Sequence, residues 1–311
     1  MTGGSLWFLQ MVFAALSDAA FACALGAVLL GGWLHRERAA AAVSPARRAS
    51  RRASRFGVVA ALVFVLCGFV SLWLQCAAMS GTSIVDAGSS LWLVATATHA
   101  GIGWAVSLAG GVLFALATAT SRPFDAGRLA VAALGALIAA AGKAAIGHAA
   151  DAGAFSLAEA VQLLHLLATG VWGGVVIAGA AVVLPALDAS TARASLLRVV
   201  GRMSSVATIA VAVVVATGLF NAWRGTGGSA AALAQSGWGH ALIVKAALVA
   251  AALALGALNR WSALPRLQRT ASTTDAHTVI NLMRVEALLM VGVFFAASVL
   301  SHSLPGFAAG G

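Results

Sequence analysis

Residues 143–174 read KAAIGHAADAGAFSLAEAVQLLHLLATGVWGG, two apolar runs joined by a short acidic turn. His148 closes the first run and His165 lies inside the second. Apolar runs of this kind on either side of a short turn predict a hairpin of lipid-crossing helices. A histidine inside such a helix is expensive to hold there and marks a functional position. The hairpin therefore points both to the fold and to the place where chemistry would be sought.

The rest of the chain repeats the pattern. Of its 311 residues, 61% are hydrophobic and 9% charged, and the mean hydropathy is +0.97. A water-soluble domain of this length does not have that composition. Apolar segments occur at about 6–34, 57–79, 91–118, 129–148, 157–185, 203–224, 239–259 and 280–303. Each is long enough to cross a hydrocarbon core of ~30 Å as a helix. A β-barrel would need strict alternation of apolar and polar residues, which is absent here. The prediction is all-α: a polytopic membrane bundle of about eight transmembrane helices, forming one integral membrane domain over 1–311.

Arginines orient the bundle. The connection from His35 to Phe56 carries Arg36, Arg38, Arg47, Arg48, Arg51, Arg52 and Arg55. The same face later collects Arg122 and Arg128, then Arg193, Arg198 and Arg202, then Arg260, Arg266, Arg269 and Arg284. The opposite connections hold Asp86 and Asp151 and, as their one basic residue, Arg224. Positive charge marks the cytoplasmic side, so both termini are expected outside. The net charge of +10 is this topological signal, suited to an anionic inner leaflet, and calls for no nucleic acid. MTGGS has no basic residue and no small-residue cleavage site follows, so the first helix is expected to be retained. Cys23, Cys67 and Cys76 are scattered without a CxxC pair and read as small buried hydrophobes.

Polar residues within the apolar segments are the candidate site. Asp18 sits near mid-membrane and is either an interhelical ion pair or part of an ion pathway. Ser71, Gln75 and Met79 share a face of the second helix. Thr96, His99, Gly103, Ser107 and Gly110 form a stripe of small and polar residues on the third, with His99 placed about two turns in. Gln162, His165, Thr169 and Gly173 share a face of the fifth, with His165 at a similar depth. Lys143 either snorkels to water or holds an anionic group, while Arg284 and Glu286 are expected to anchor the last helix near the inner surface. Five of the seven histidines, His99, His148, His165, His240 and His302, fall in the outer half, each on a different helix. Bundle sites are built from such converging side chains.

Imidazole suits copper, zinc, nickel and iron, and a Met thioether prefers Cu(I). His99, His148 and His165 with Met79 nearby would favour copper. Haem b competes, because two histidines at matched depth on facing helices, His99 and His165, can ligate its iron. Catalytic motifs of the HExxH and GxSxG types, a phosphate-binding glycine loop and an intramembrane CPC pair are all absent, so no enzyme or ATP-driven pump is expected.

Six stretches carry a resemblance: AAMSG, GHAADAG, LLHLLATGVWGG, ATGLFNAWRG, KAALVAAALALGALNRW with LPRL, and RVEALL. In this order, from about Met79 to Pro305, the chain resembles the copper resistance protein D family of bacterial inner-membrane proteins. The resemblance implies copper uptake across the inner membrane, with a separate periplasmic copper-binding protein as donor. It carries His148, His165 and Met79 as matching positions, and Asn221, Asn259 and Glu286 as recurrent polar positions with structural roles. Ligand status for His99, His240 and His302 rests on topology alone.

The resulting expectation is a multi-pass inner-membrane protein with both termini periplasmic. It would take copper at an outer His/Met site (His148 and His165, then His99, with Met79, His302 and His240 at the entrance) and pass it inward, Asp18 serving as a relay. The alternatives are a membrane b-type cytochrome and a copper sensor or assembly factor that binds metal without moving it.

Overall fold

In the computed structural model, which describes residues 3–36, 44–120 and 125–304, every regular element among the described residues is helical. Arg38, Arg122 and Pro305 lie outside the described residues. Twelve α-helices follow one another: α1 Gly3–Arg36, α2 Pro45–Ser80, α3 Leu91–Ala97, α4 His99–Ala119, α5 Ala126–Ala144, α6 Leu157–Ala178, α7 Leu184–Ala186, α8 Arg193–Thr226, α9 Ala230–Gln235, α10 Gly237–Leu258, α11 Leu264–Thr270 and α12 Thr273–Ser301. Eight segments are long and apolar enough to cross a membrane: α1, α2, α4, α5, α6 continued into α7, α8, α10 continued into α11, and α12. The chain is a multi-pass membrane protein of the all-α class.

Local chemistry explains where the helices depart from the apolar windows. α2 starts twelve residues earlier than hydropathy suggests, because Ser44 and Pro45 make a helix start ahead of an Ala/Arg run. The Ser44 hydroxyl accepts from the Arg47 N–H at 3.2 Å, and proline is well placed in a first turn. Most of the arginine-rich connection is thus a helical extension of α2. The predicted segment 91–118 is broken at Thr98, which is extended (φ −115°, ψ 146°). Its hydroxyl donates to Val94 O at 2.7 Å and accepts from Gly101 N–H at 2.9 Å, capping the new helix. Any side chain at Gly101 would strike the Val94 carbonyl, so the break is built into the sequence.

Two proline steps shape the other end. α6 runs through a π-turn, Gly179–Val183, into Pro185, and α10 runs through Asn259–Ala263 into Pro265. Proline lacks an N–H, and its ring crowds the carbonyl four residues back. Here that carbonyl belongs to Ala181 or Trp261, inside the π-turn, which widens the helix and accommodates the ring.

Small residues set the packing, as lipid gives helices no hydrophobic reason to associate. α1 crosses α6 at Gly26 and Gly174, where a Cβ on either would enter the other's backbone. α4 and α5 meet through Gly103 and Gly142, and through Gly110 and Gly135, so the Gly103, Ser107 and Gly110 part of the predicted stripe lies at a close contact, while Thr96 on α3 and His99 are exposed. Trp172, 2% exposed, fills the centre among α1, α6, α8 and α12. α10 buries little of itself and presents Ile243, Val244 and Leu258 outward.

Candidate metal centre

One end of the bundle carries the described arginine clusters. The other carries His99, His148, His240, His302 and Met79, with His165 deeper; these are called the arginine end and the histidine end. His165 is 8% exposed. Its Nδ1 lies 2.9 Å from Thr217 Oγ1 on α8. That hydroxyl donates its own hydrogen to Val213 O at 2.6 Å, so its oxygen accepts from Nδ1–H. The network therefore assigns the lone pair to Nε2. A neutral imidazole whose second nitrogen is held by a partner is the form that ligates metals. One turn nearer the histidine end, Asn221 Nδ2 donates to Gln162 Oε1 at 2.8 Å. Two polar rungs thus pin α6 to α8.

The rim is a second group. His148 lies in the turn beyond α5 rather than at a helix end, and its Nε2 is 3.2 Å from Ser303 O. The carbonyl can only accept, so Nε2 donates. His148 Nδ1 is 3.7 Å from Asp151 Oδ2. His302 adjoins Ser303, and its Nδ1 donates to Ser298 O at 2.9 Å, which leaves Nε2 as the lone-pair nitrogen. Trp7 Nε1 donates to His302 O at 3.0 Å, tying α1 into the same rim.

His99 departs from its predicted depth. As the first residue of α4 its side chain is 48% exposed, and its Nε2 is 3.5 Å from Glu159 Oε1. Glu159 precedes His165 by six residues, about 9 Å along a helix. His99 and His165 therefore stand at different heights, where the haem b expectation put them at a similar depth. Met79, at the end of α2, and His240, in the first turn of α10, are exposed. Among the described residues no three His, Cys, Asp or Glu side chains gather into a metal-holding group. The predicted six-residue His/Met cluster is thus resolved into a buried His165 rung, a His148–His302 rim, a His99–Glu159 pair and two separate exposed side chains. His165 and His99 each spend a ring nitrogen on a neighbouring helix, Thr217 on α8 and Glu159 on α6, and His148 spends one on the Ser303 carbonyl.

Deeper in, Lys143 Nζ meets Asp18 Oδ1 at 2.7 Å, joining α5 to α1. Lys245 on α10 lies within electrostatic reach of both Asp18 and His165. Lys143 is thus held by an anionic group, the Asp18 carboxylate. The role of Lys245 escapes a reading of single helices, although two lysines and one aspartate inside apolar segments were a signal of pairing. Glu286 is also displaced from expectation. It is 4% exposed and accepts from Trp172 Nε1 at 3.4 Å in the interior, while Arg284 bonds Asn281 at 3.0 Å.

Against known families, the model described as copper resistance protein D matches residues 197–300, and the model described as copper resistance protein D-like, N-terminal domain, matches residues 4–158. Together they take in most of the chain, on both sides of the α6 histidine. The chain belongs to the copper resistance protein D family. It is a copper-resistance-related membrane protein, and the family's N-terminal unit corresponds here to α1–α5 with the turn that carries His148. The family's second unit covers most of α8 through α12, leaving α6 between the two. Comparison with individual curated proteins and with solved structures gave no match.

Proposed function

We propose that this member of the copper resistance protein D family carries copper inward across the bacterial inner membrane. The histidine end faces the periplasm, together with both termini, and the arginine end faces the cytoplasm. Copper arrives from a separate periplasmic copper-binding protein and meets the rim of His148 and His302, with Met79, His99 and His240 as exposed soft or imidazole groups nearby. It then reaches His165. The observation that carries this reading is the buried His165 ring, oriented by Thr217 so that its lone pair is free on Nε2. An imidazole kept neutral and oriented inside lipid-crossing helices is the ligand a copper path requires. The Asp18–Lys143 pair joins α1 to α5 beside that path, where Asp18 can serve as a relay. No catalytic step is invoked.

The test is copper accumulation by cells expressing the protein, with copper and iron counted per polypeptide after purification. His165→Ala is expected to abolish uptake while the protein still folds; unchanged uptake overturns the reading. Stoichiometric iron with a Soret band would restore the cytochrome. Copper that binds but does not enter sealed vesicles would make the protein an assembly factor or sensor.

A further inference from the structure

The histidines are not the protein's only concentration of metal-binding atoms. In the arginine-end half, α6, α8, α10 and α12 line a partly open cavity of about 350 Å³. α8 and α10 scarcely touch there, and the space between them is the cavity. Both π-turns border it. The one starting at Asn259 lines it directly, and the one starting at Gly179 packs on Met203 and Met283, which also line it. π-turns interrupt the regular ladder and recur at functional sites.

The chemistry of the lining is one-sided. Met203 and Met283 are 1% and 5% exposed. Their sulfurs lie 3.3 and 3.8 Å from the single point where a Cβ on Gly179 would sit, so the two thioethers converge. Glu286 is buried, with Oε1 facing the Trp172 indole N–H. Asn259 is 5% exposed, and its Oδ1 is buried without a hydrogen-bond partner. A buried acceptor left unsatisfied calls for an explanation, and a bound cation is one. Among the residues lining the cavity the one cationic side chain, Arg260, is turned to Ser204 Oγ at 2.8 Å and Thr208 Oγ1 at 3.1 Å. Set among aliphatic side chains, and apart from the Ser204 and Thr208 hydroxyls that receive Arg260, the lining offers four electron-pair donors: two thioethers, a carboxylate and an amide oxygen.

That donor set selects among cations. Calcium takes six to eight oxygens, and magnesium needs an octahedron of them. Zinc prefers thiolate and imidazole. Two thioethers favour a soft monovalent ion, and a single carboxylate balances a single positive charge. We propose that Met203, Met283, Glu286 and Asn259 form a second site for a soft monovalent metal ion, Cu(I), on the arginine side of the bundle. The identity of the ion as cargo rests on the transport reading; the site itself does not. It would lie beyond His165 on the way inward. The ion exchanges ligands without any change of oxidation state.

The test uses the full-length purified protein and Ag(I), a redox-inert probe for Cu(I). Met203→Leu/Met283→Leu keeps the volume of both side chains and is expected to remove one equivalent of tightly bound Ag(I) and to reduce the sulfur shell seen by X-ray absorption. The three thiols and the other methionines are the same in both proteins, so the difference isolates this pair. Glu286→Gln, which keeps the shape and removes the charge, is expected to weaken that equivalent by at least about tenfold, on the scale of lost supporting groups at metal sites. His165→Ala is expected to retain it. Full stoichiometry with an unchanged sulfur shell in the double methionine variant overturns the proposal, as does unchanged affinity in Glu286→Gln. Uptake that persists in His165→Ala while the methionine equivalent is intact would defeat the His165 entrance and leave this site standing.

Discussion

Replacing Asp18 by Asn and, separately, Lys143 by Met probes the charge balance inside the bundle. Both substitutions keep approximate size and remove one charge. At 2.7 Å the pair's gross attraction is about 6 kcal/mol at an effective dielectric near 20. The net effect is smaller because both groups have left water, and removing one member of a buried pair costs about 3–5 kcal/mol. The two substitutions are not equivalent. Asp18→Asn strands Lys143 and also removes the carboxylate whose field reaches Lys245, which places its cost at the upper end of that range. Lys143→Met leaves Asp18 within the field of Lys245, so the loss is nearer that of one charged hydrogen bond, about 1.5–3 kcal/mol. The expected order is wild type, then Lys143→Met, then Asp18→Asn. The gap between the variants should exceed tenfold in the unfolding equilibrium, since about 1.4 kcal/mol is a factor of ten. Unfolding in mixed micelles with increasing SDS, followed by far-ultraviolet circular dichroism, measures it. Lys143→Met equal to or worse than Asp18→Asn refutes the three-charge arrangement. So does an Asp18→Asn protein within about 0.5 kcal/mol of wild type, the range of an inconsequential surface change.

Two further outcomes test other parts of the structure. Thr217→Val removes the oxygen that orients His165 while conserving volume, and is expected to weaken metal binding at His165 by about 10–100-fold and, by leaving a buried N–H unsatisfied, to cost about 1–3 kcal/mol of stability, read by Ag(I) titration beside a thermal melt. Arg128→Met removes two charged hydrogen bonds that close the end of α4, from Nε to Ala117 O at 2.9 Å and from Nη2 to Thr118 O at 2.8 Å. At about 1.5–3 kcal/mol for such a bond, the melt should fall clearly, with Arg128→Lys recovering only part of the loss because it restores one donor geometry rather than a fork.

Much of the fold is legible along the chain, since a bilayer imposes a length on every crossing segment. The hairpin from Lys143 to Gly174 is recovered as α5, the His148 turn and α6, and the stripe of Gly103, Ser107 and Gly110 does lie at a close helix contact. The departures have local causes that hydropathy does not weigh. Ser44 and Pro45 extend α2 into the arginine-rich connection, and Thr98 with Gly101 breaks the segment that would have carried His99 inward. The candidate site was legible as a set of residues and not as an arrangement. Thr217 and Asn221 are spaced to meet His165 and Gln162 on an antiparallel neighbour, yet nothing along the chain says which helix that neighbour is.

The sequence by itself determined the class of the protein, its eight crossings, the separation of arginines from histidines and the family to which it belongs. These follow from composition and order, because the cost of placing polar and charged groups in lipid acts on each segment separately. Only the tertiary structure decided which polar groups meet. It separated His99 from His165, paired Asp18 with Lys143, and drew Glu286 into the interior beside Trp172 and a pair of converging methionines. Those pairings depend on how deep each side chain sits and which way its helix is turned, and both are fixed by close contact between backbones at residues such as Gly26 and Gly174.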